Sequence, residues 1–182
     1  MGFCVVERAV EFATRAHEGQ FRKGTERPYI LHPLEVGEIV ASMTDDEEII
    51  SAAILHDTIE DCEGVTEEML CQEFSDRVAH LVVQESEDKS KTWMERKGTT
   101  IEHLKVAAKE VQMIGLADKL SNMRDIDRDY PVCGEALWKR FRMKDKNTIG
   151  WYYKGILTSL KDSLDGVQAF EEYCELVEKH FS

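Results

Sequence analysis

Apolar residues recur three and four positions apart through most of the chain, and the period-two alternation of a half-buried strand is nearly absent. Only three prolines interrupt the pattern. The spacing predicts a first helix from Val5 to His17, a loop through Tyr29, and a second helix from Pro33 to Met43. Asp45 or Asp46 is placed to cap a third, which runs through Ile49, Ile50, Ala52, Ala53, Ile54 and Leu55 to His56-Asp57 at its C-terminal end. Thr66 ahead of Glu67 and Glu68 starts a short fourth helix, and Ser75-Asp76 a fifth with Val78, Leu81 and Val82 inward. Helices from Trp93 to Ala108 and from Glu110 to Ile126 follow. Pro131 then breaks the chain, and helices near Gly134 to Arg142, Asn147 to Leu164 and Gly166 to Phe181 complete it. No repeat, linker or low-complexity stretch divides residues 1–182, so the expectation is one all-α domain, a single compact multi-helix bundle.

Three segments of this pattern carry polar residues where apolar ones would pack. Ile49 to Asp61 sets a His-Asp pair and two further carboxylates, Glu60 and Asp61, at the end of an apolar run. Ionised carboxylates beside apolar side chains cost several kcal/mol or shift until they neutralise, so the grouping points to a compensating cation, most simply a metal. On a continuous helix Glu60 would stack over His56 and Asp61 over Asp57. The bland alternative is a helix end followed by an acidic turn. Upstream, Arg22 to Pro33 offers the basic pair Arg22-Lys23, an aromatic at Tyr29, and His32, whose position before Pro33 biases it toward extended backbone just ahead of a helix. Downstream, Asp118 and Asn122 share one face of an otherwise apolar helix, with Arg124 close by.

These segments together resemble the HD-domain phosphohydrolases. More narrowly, Ala13 to Pro33, Ala52 to Asp61, Glu87-Asp88-Lys89 and Ala117 to Arg124 are similar to the hydrolase domain of the RelA/SpoT family, and to its stand-alone members, the small alarmone hydrolases. The likeness runs from about residue 5 to about residue 130 and on through Trp151-Tyr152-Tyr153. It implies an HD-type bundle with His32, His56, Asp57 and Asp118 as metal ligands and Glu60 and Asp61 as the catalytic pair. It also implies Arg22 and Lys23 against the purine and phosphates, with Tyr29 and Asn122 lining the nucleotide pocket. Arg124 and Tyr152 complete the implied substrate contacts, although a helix-face arginine more often forms a structural ion pair, and tyrosine at helical spacing is more often core. The mixed nitrogen and oxygen donor set suits Mn²⁺, Fe²⁺ or another octahedral ion. Affinity order alone would favour Cu²⁺ or Zn²⁺, and the resemblance implies Mn²⁺, one per chain. The implied activity is a (p)ppGpp 3′-pyrophosphohydrolase yielding GDP or GTP. Two other readings stay open: an HD-type hydrolase of a different nucleotide, and a metal-holding sensor that binds the alarmone without cleaving it.

Charge narrows the partners. The formal net charge is −13 with a pI near 4.9, which argues against nucleic acid held on a broad basic face. A small polyphosphate needs only a local pocket, for which Arg22, Lys23, Arg27, Lys89, Lys91, Arg96, Lys97, Arg124 and Arg128 are candidates. His17, His80 and His103 are read as structural or surface residues. Five cysteines without a Cys-x-x-Cys pair read as free thiols in a reducing compartment, and no zinc site is indicated. No leader-like N-terminus or membrane span is visible, and Val6 stands where a myristoylation motif after Met1-Gly2 wants Ser or Thr. The expectation is a cytoplasmic protein acting on a guanine nucleotide, with no synthetase activity and with a homodimer left open.

Overall fold

The structure is a computed structural model that describes residues 4–182, so the Met1-Gly2 start lies outside the described residues. Ten α-helices follow one another: α1 (Val5–Ala16), α2 (Leu31–Ala41), α3 (Glu47–Leu55), α4 (Thr58–Asp61), α5 (Glu67–Glu73), α6 (Asp76–Glu85), α7 (Trp93–Val106), α8 (Lys109–Cys133), α9 (Lys146–Leu164) and α10 (Gln168–Phe181). A 3₁₀ segment, Gly134–Arg140, joins α8 to α9. Among the described residues the one β pairing is an isolated bridge between Phe21 and Pro28. No described helix is long and apolar enough to cross a membrane.

Helix starts follow side-chain chemistry. Asp46 accepts from the Glu48 and Ile49 amides at the head of α3, and Thr66 and Ser75 do the same for α5 and α6. Thr92 and Glu95 form a reciprocal capping box on α7, the kind of contact worth about 1 kcal/mol. At the centre lies α3, buried from Ser51 to Leu55 and packed against α1, α2, α6 and α8. The second core helix is α8, which buries Val111 to Asp118, Leu120, Ser121, Met123 and Ile126. Val78, Leu81 and Val82 of α6 face this core as the sequence pattern requires.

Four boundaries differ from the sequence-based expectation. The second helix begins at Leu31, which places His32 inside its first turn and not in extended backbone. Pro33 is tolerated there because first-turn amides have no helical acceptor. The third helix does not continue to Asp61: it stops at Leu55, and His56-Asp57 turns into the single-turn α4, so the continuous-helix stacking of Glu60 on His56 does not form. Only the Asp61 N–H to Asp57 carbonyl bond, 2.9 Å, keeps that register. Pro131 does not break the chain, because α8 runs through it to Cys133 and ends at Gly134, whose φ of 52° only glycine adopts without strain. The Gly134 segment is 3₁₀ and not α.

Gly37 sets the spacing of α2 and α3. A Cβ there would lie 2.5 Å from Ile54 Cγ1, and the β-branched Ile54 is stiff at that atom. Gly98 on α7 has open space around it. Both sit inside helices, where alanine is intrinsically favoured by about 1 kcal/mol. Gly98→Ala should therefore stabilise the protein by about 0.5–1 kcal/mol, whereas overpacking should make Gly37→Ala destabilising by about 1–2 kcal/mol net. Urea unfolding of the two variants reads both signs, and a stabilising Gly37→Ala would contradict the packing described.

Candidate active site

The turn after α3, the first turn of α2 and the middle of α8 meet in one cleft of about 190 Å³. His56 ends α3 with its Nδ1 2.8 Å from the Ala53 carbonyl. A carbonyl only accepts, so Nδ1 carries the proton and Nε2 presents a lone pair. That Nε2 is buried and has no hydrogen-bond partner. It lies 3.0 Å from Asp57 Oδ2, outside hydrogen-bond geometry, and 3.8 Å from Asp118 Oδ1. His32 reaches the same state by a longer route. Its Nδ1 is 2.8 Å from Ser121 Oγ, and Ser121 donates its own proton to Glu35 Oε2 at 2.6 Å. Ser121 must then accept from His32 Nδ1–H, which leaves His32 Nε2 as an acceptor 3.2 Å from Asp118 Oδ1. One ligand atom from each of His32, His56 and Asp118 lies within 4.8 Å of the others, and all three residues are buried. Asp57 Oδ2, 3.7 Å from His32 Nε2, completes the sequence-derived set of four.

Acceptor atoms crowd this point. Two imidazole lone pairs and two carboxylates face one another, a donor set that suits a divalent ion. Burial lowers His32 below its ordinary value. At His56 burial also opposes charge, but Asp57 and Asp118 outweigh it and raise the imidazole to about 9. Burial opposes ionisation of Asp118, yet the Lys119 ammonium, which contacts its Oδ2, and the two imidazoles hold it well below the usual range. Asn122 donates to Asp118 Oδ1 at 2.7 Å, and the Tyr29 hydroxyl donates to Asp57 Oδ2.

Glu60 lines the cleft, accepts from the Glu87 amide at 3.2 Å, and is raised above an ordinary glutamate by burial. Asp61 points outward to Lys89 at 2.9 Å and is not part of the cleft wall. A second hollow of about 240 Å³ adjoins the first and shares Arg22, Tyr29 and Asn122 with it. Phe21, Tyr29, Phe141 and Tyr153 supply aromatic wall. Arg22, Lys23, Arg27, Arg128 and Arg140 set five cations there against Asp125 and Asp129, a local excess of three positive charges in an acidic protein. Asp125 is the hub: it holds Arg22 at 2.8 Å, Arg27 at 3.0 Å, and Arg128.

Two residues expected at the substrate lie elsewhere. Arg124 faces away from both hollows, paired with both oxygens of Glu172 on α10 at 2.6 and 2.7 Å and with Glu35 Oε1 at 3.2 Å. Through Glu35 it braces Ser121 and so His32. Tyr152 is buried with its ring 4.8 Å from Lys97 Nζ and 5.9 Å from Lys119 Nζ, and its neighbour Tyr153 faces the aromatic hollow instead. Ser121, Glu35, Glu85 and Lys119 were not singled out from the sequence. Ser121 and Glu35 each sit three residues from a ligand, Asp118 and His32, but only the α2–α8 contact makes that spacing meaningful.

An HD-domain family model matches residues 9–139. The chain belongs to the HD-domain family. Among curated relatives it is 35% identical over 144 residues to the guanosine-3′,5′-bis(diphosphate) 3′-pyrophosphohydrolase MESH1 of Xenopus tropicalis, covering 78% of each chain. It is 38% identical over 130 residues to MESH1 of Danio rerio, covering 70% of this chain and 72% of that one. A solved structure, described as a metazoan ortholog of SpoT that hydrolyses ppGpp, superposes with a TM-score of 0.82 at 25% identity over 98% of this chain and 97% of the other.

Removing the Ser121 hydroxyl leaves His32 Nδ1–H without its acceptor and Glu35 Oε2 without its Ser121 donor. Ser121→Ala should weaken divalent-metal binding by about 10- to 100-fold, the scale for losing a group that orients a ligand imidazole. Calorimetric titration with Mn²⁺ checks it, and an unchanged affinity would show that the hydroxyl does not orient the ligand.

Proposed function

We propose that this HD-domain protein is a metal-dependent (p)ppGpp 3′-pyrophosphohydrolase, cleaving the 3′-diphosphate from the guanosine alarmone to leave GDP or GTP. The observation that carries this reading is the adjacency of the two hollows across Arg22, Tyr29 and Asn122. A nucleoside seated on the aromatic and cationic side turns one edge of its ribose toward the His-Asp cluster. His32, His56, Asp57 and Asp118 would hold one ion; their mixed nitrogen and oxygen donor set suits an octahedral divalent ion, and the likeness to the alarmone hydrolases is what makes Mn²⁺ our assignment. Such an ion, when bound, lowers the pKa of a coordinated water and polarises a phosphoryl oxygen.

The protein's own groups do the rest. Glu60, half-buried and held by the Glu87 amide, orients the attacking water and takes its proton at a carboxylate oxygen. Asp61 fixes Lys89, which also bonds the Glu60 carbonyl at 2.6 Å, and so holds the α4 turn that aims Glu60. Arg22 is rigid between Asp125 and Asn122 and sits 5.6 Å from the Tyr29 ring centre, a preorganised cation for the phosphates. Lys23 stands at the rim of the nucleoside hollow. A binding module without catalysis has no use for a carboxylate at Glu60's place, which disfavours the sensor reading. The five free thiols fit a reducing, cytoplasmic setting, and nothing in this reading requires a second copy of the chain.

Incubation with Mn²⁺ and a nucleotide panel tests the assignment. The 3′-diphosphate of ppGpp should be released as pyrophosphate, while GTP and GDP, which lack a 3′ phosphate, should survive. Comparable turnover of all three would leave only a generic phosphohydrolase. Glu60→Gln should keep metal and KM yet lose about 10²-fold or more in kcat, and Lys23→Ala should chiefly raise KM. Loss of bound metal in Glu60→Gln would move Glu60 into the ligand set.

A further inference from the structure

Behind the metal cleft lies a third cavity, of about 290 Å³, between the end of α6, the 86–92 connection, and the inner faces of α7 and α8. Glu85, Glu87, Arg96 and Lys119 line both spaces, so they form the partition between them. Its outer end is formed by Asp88 and Lys91, whose side chains are about half exposed. Four buried side-chain polar atoms without a hydrogen-bond partner border this one cavity: Glu85 Oε1, Ser86 Oγ, Arg96 Nε and His103 Nε2. Buried polar atoms are ordinarily satisfied, and a roomy polar cavity satisfies them with ordered water.

The cations on its walls are already matched: Arg96 by Glu87 at 2.7 Å, Lys119 by Asp118, and Lys91 by Asp88. A cavity without surplus charge but with unpartnered acid, hydroxyl and imidazole groups suits water and protons better than an anion. The geometry points to a hydrated proton passage, in which Glu85 and His103, bridged by ordered waters and Ser86, carry protons between the metal cleft and bulk solvent. This inference rests on the hydrolase reading above.

In that reaction the water oxygen bonds to phosphorus as the bond from phosphorus to the ribose 3′ oxygen breaks, its electron pair staying on that oxygen. Glu60 takes one proton from the water, and the 3′ oxygen takes one from solvent. The passage returns Glu60's proton to solvent through Glu85 and His103, leaving both carboxyls as they began. The charged groups acting on Glu85 are Lys119 and Asp118 from α8 and His56 and Asp57 from the end of α3, while Glu60 from α4, Glu87, and Arg96 and Lys97 from α7 line the same cleft. Burial raises its carboxyl above the ordinary glutamate range, Lys119 opposing the rise and Asp118 adding to it, and its unpartnered Oε1 on the cavity wall is what places it on the route.

Glu85→Gln keeps size and polarity but not proton exchange, and His103→Ala opens the far end. With CD spectra and metal content unchanged, Glu85→Gln should lose about tenfold or more in kcat with KM moved by less than about twofold. His103→Ala should lose several-fold, and imidazole in the buffer should restore its kcat saturably, a rescue that a merely structural role would not give. Turnover within about twofold of the parent in both variants, or a His103→Ala defect that imidazole does not relieve, would overturn the passage. A readout free of substrate separates this from the assigned activity. Difference infrared spectra of the metal-loaded parent against metal-loaded Glu85→Gln should show a carboxylic-acid band that exchanges with solvent deuterium, and the absence of any such band from Glu85 would overturn its role. Failure of the parent to cleave ppGpp would instead overturn the hydrolase reading.

Discussion

Two hydrogen bonds made on the far side of two imidazole rings govern this molecule. His56 Nδ1–H is held by the Ala53 carbonyl, and His32 Nδ1–H by Ser121, itself tied to Glu35. Each bond fixes a tautomer, and each tautomer aims an Nε2 lone pair at the same point. The surrounding structure serves that aim. Helix α3 stops at Leu55, so that His56 and Asp57 leave the helix together. Helix α8 delivers Asp118, Ser121 and Asn122 from one rigid rod. Arg124, through Glu35 on one side and Glu172 on the other, ties the His32 support to α10. Because α3 is buried along most of its length and α8 lays a long run of buried side chains beside it, these positions inherit the stiffness of a close-packed interior.

The electrostatics divide the labour. An overall charge of −13 favours neither a nucleic acid nor a polyphosphate at long range. Charges more than about 8 Å apart are largely screened at physiological salt, so the local cluster dominates once a nucleotide reaches the cleft. Asp125 makes that cluster possible by holding Arg22, Arg27 and Arg128 apart from mutual repulsion and in fixed directions. At the His-Asp cluster the balance reverses: two imidazole lone pairs and two carboxylates form a donor set suited to a cation.

Much of this was legible in the chain. The caps Asp46, Thr66 and Ser75 and the inward face of α6 follow from local chemistry that the tertiary structure does not override. The ligand set His32, His56, Asp57 and Asp118 is what the resemblance to HD-domain hydrolases implies, not what any local rule gives, and three of the four, His32, His56 and Asp118, form the tight cluster. Illegible features were those decided by contacts distant in sequence. Whether a helix stops at His56 or at Asp61, or passes Pro131, depends on packing partners that periodicity does not reveal. Arg124 and Tyr152 carry side-chain types suited to nucleotide contact, yet Glu172 and the Lys97–Lys119 pair, brought in by α10, α7 and α8, claim them. His103, read as a surface or structural residue, gained meaning only when the end of α6 closed a cavity over it.

Anomalous diffraction from crystals grown with Mn²⁺ tests the central claim most directly. One peak per chain is expected, bonded to Nε2 of both His32 and His56 and to Asp118, with both Nδ1 atoms still on Ser121 and Ala53. A peak reached through either Nδ1, or manganese bound elsewhere with this cluster bare, would contradict the account.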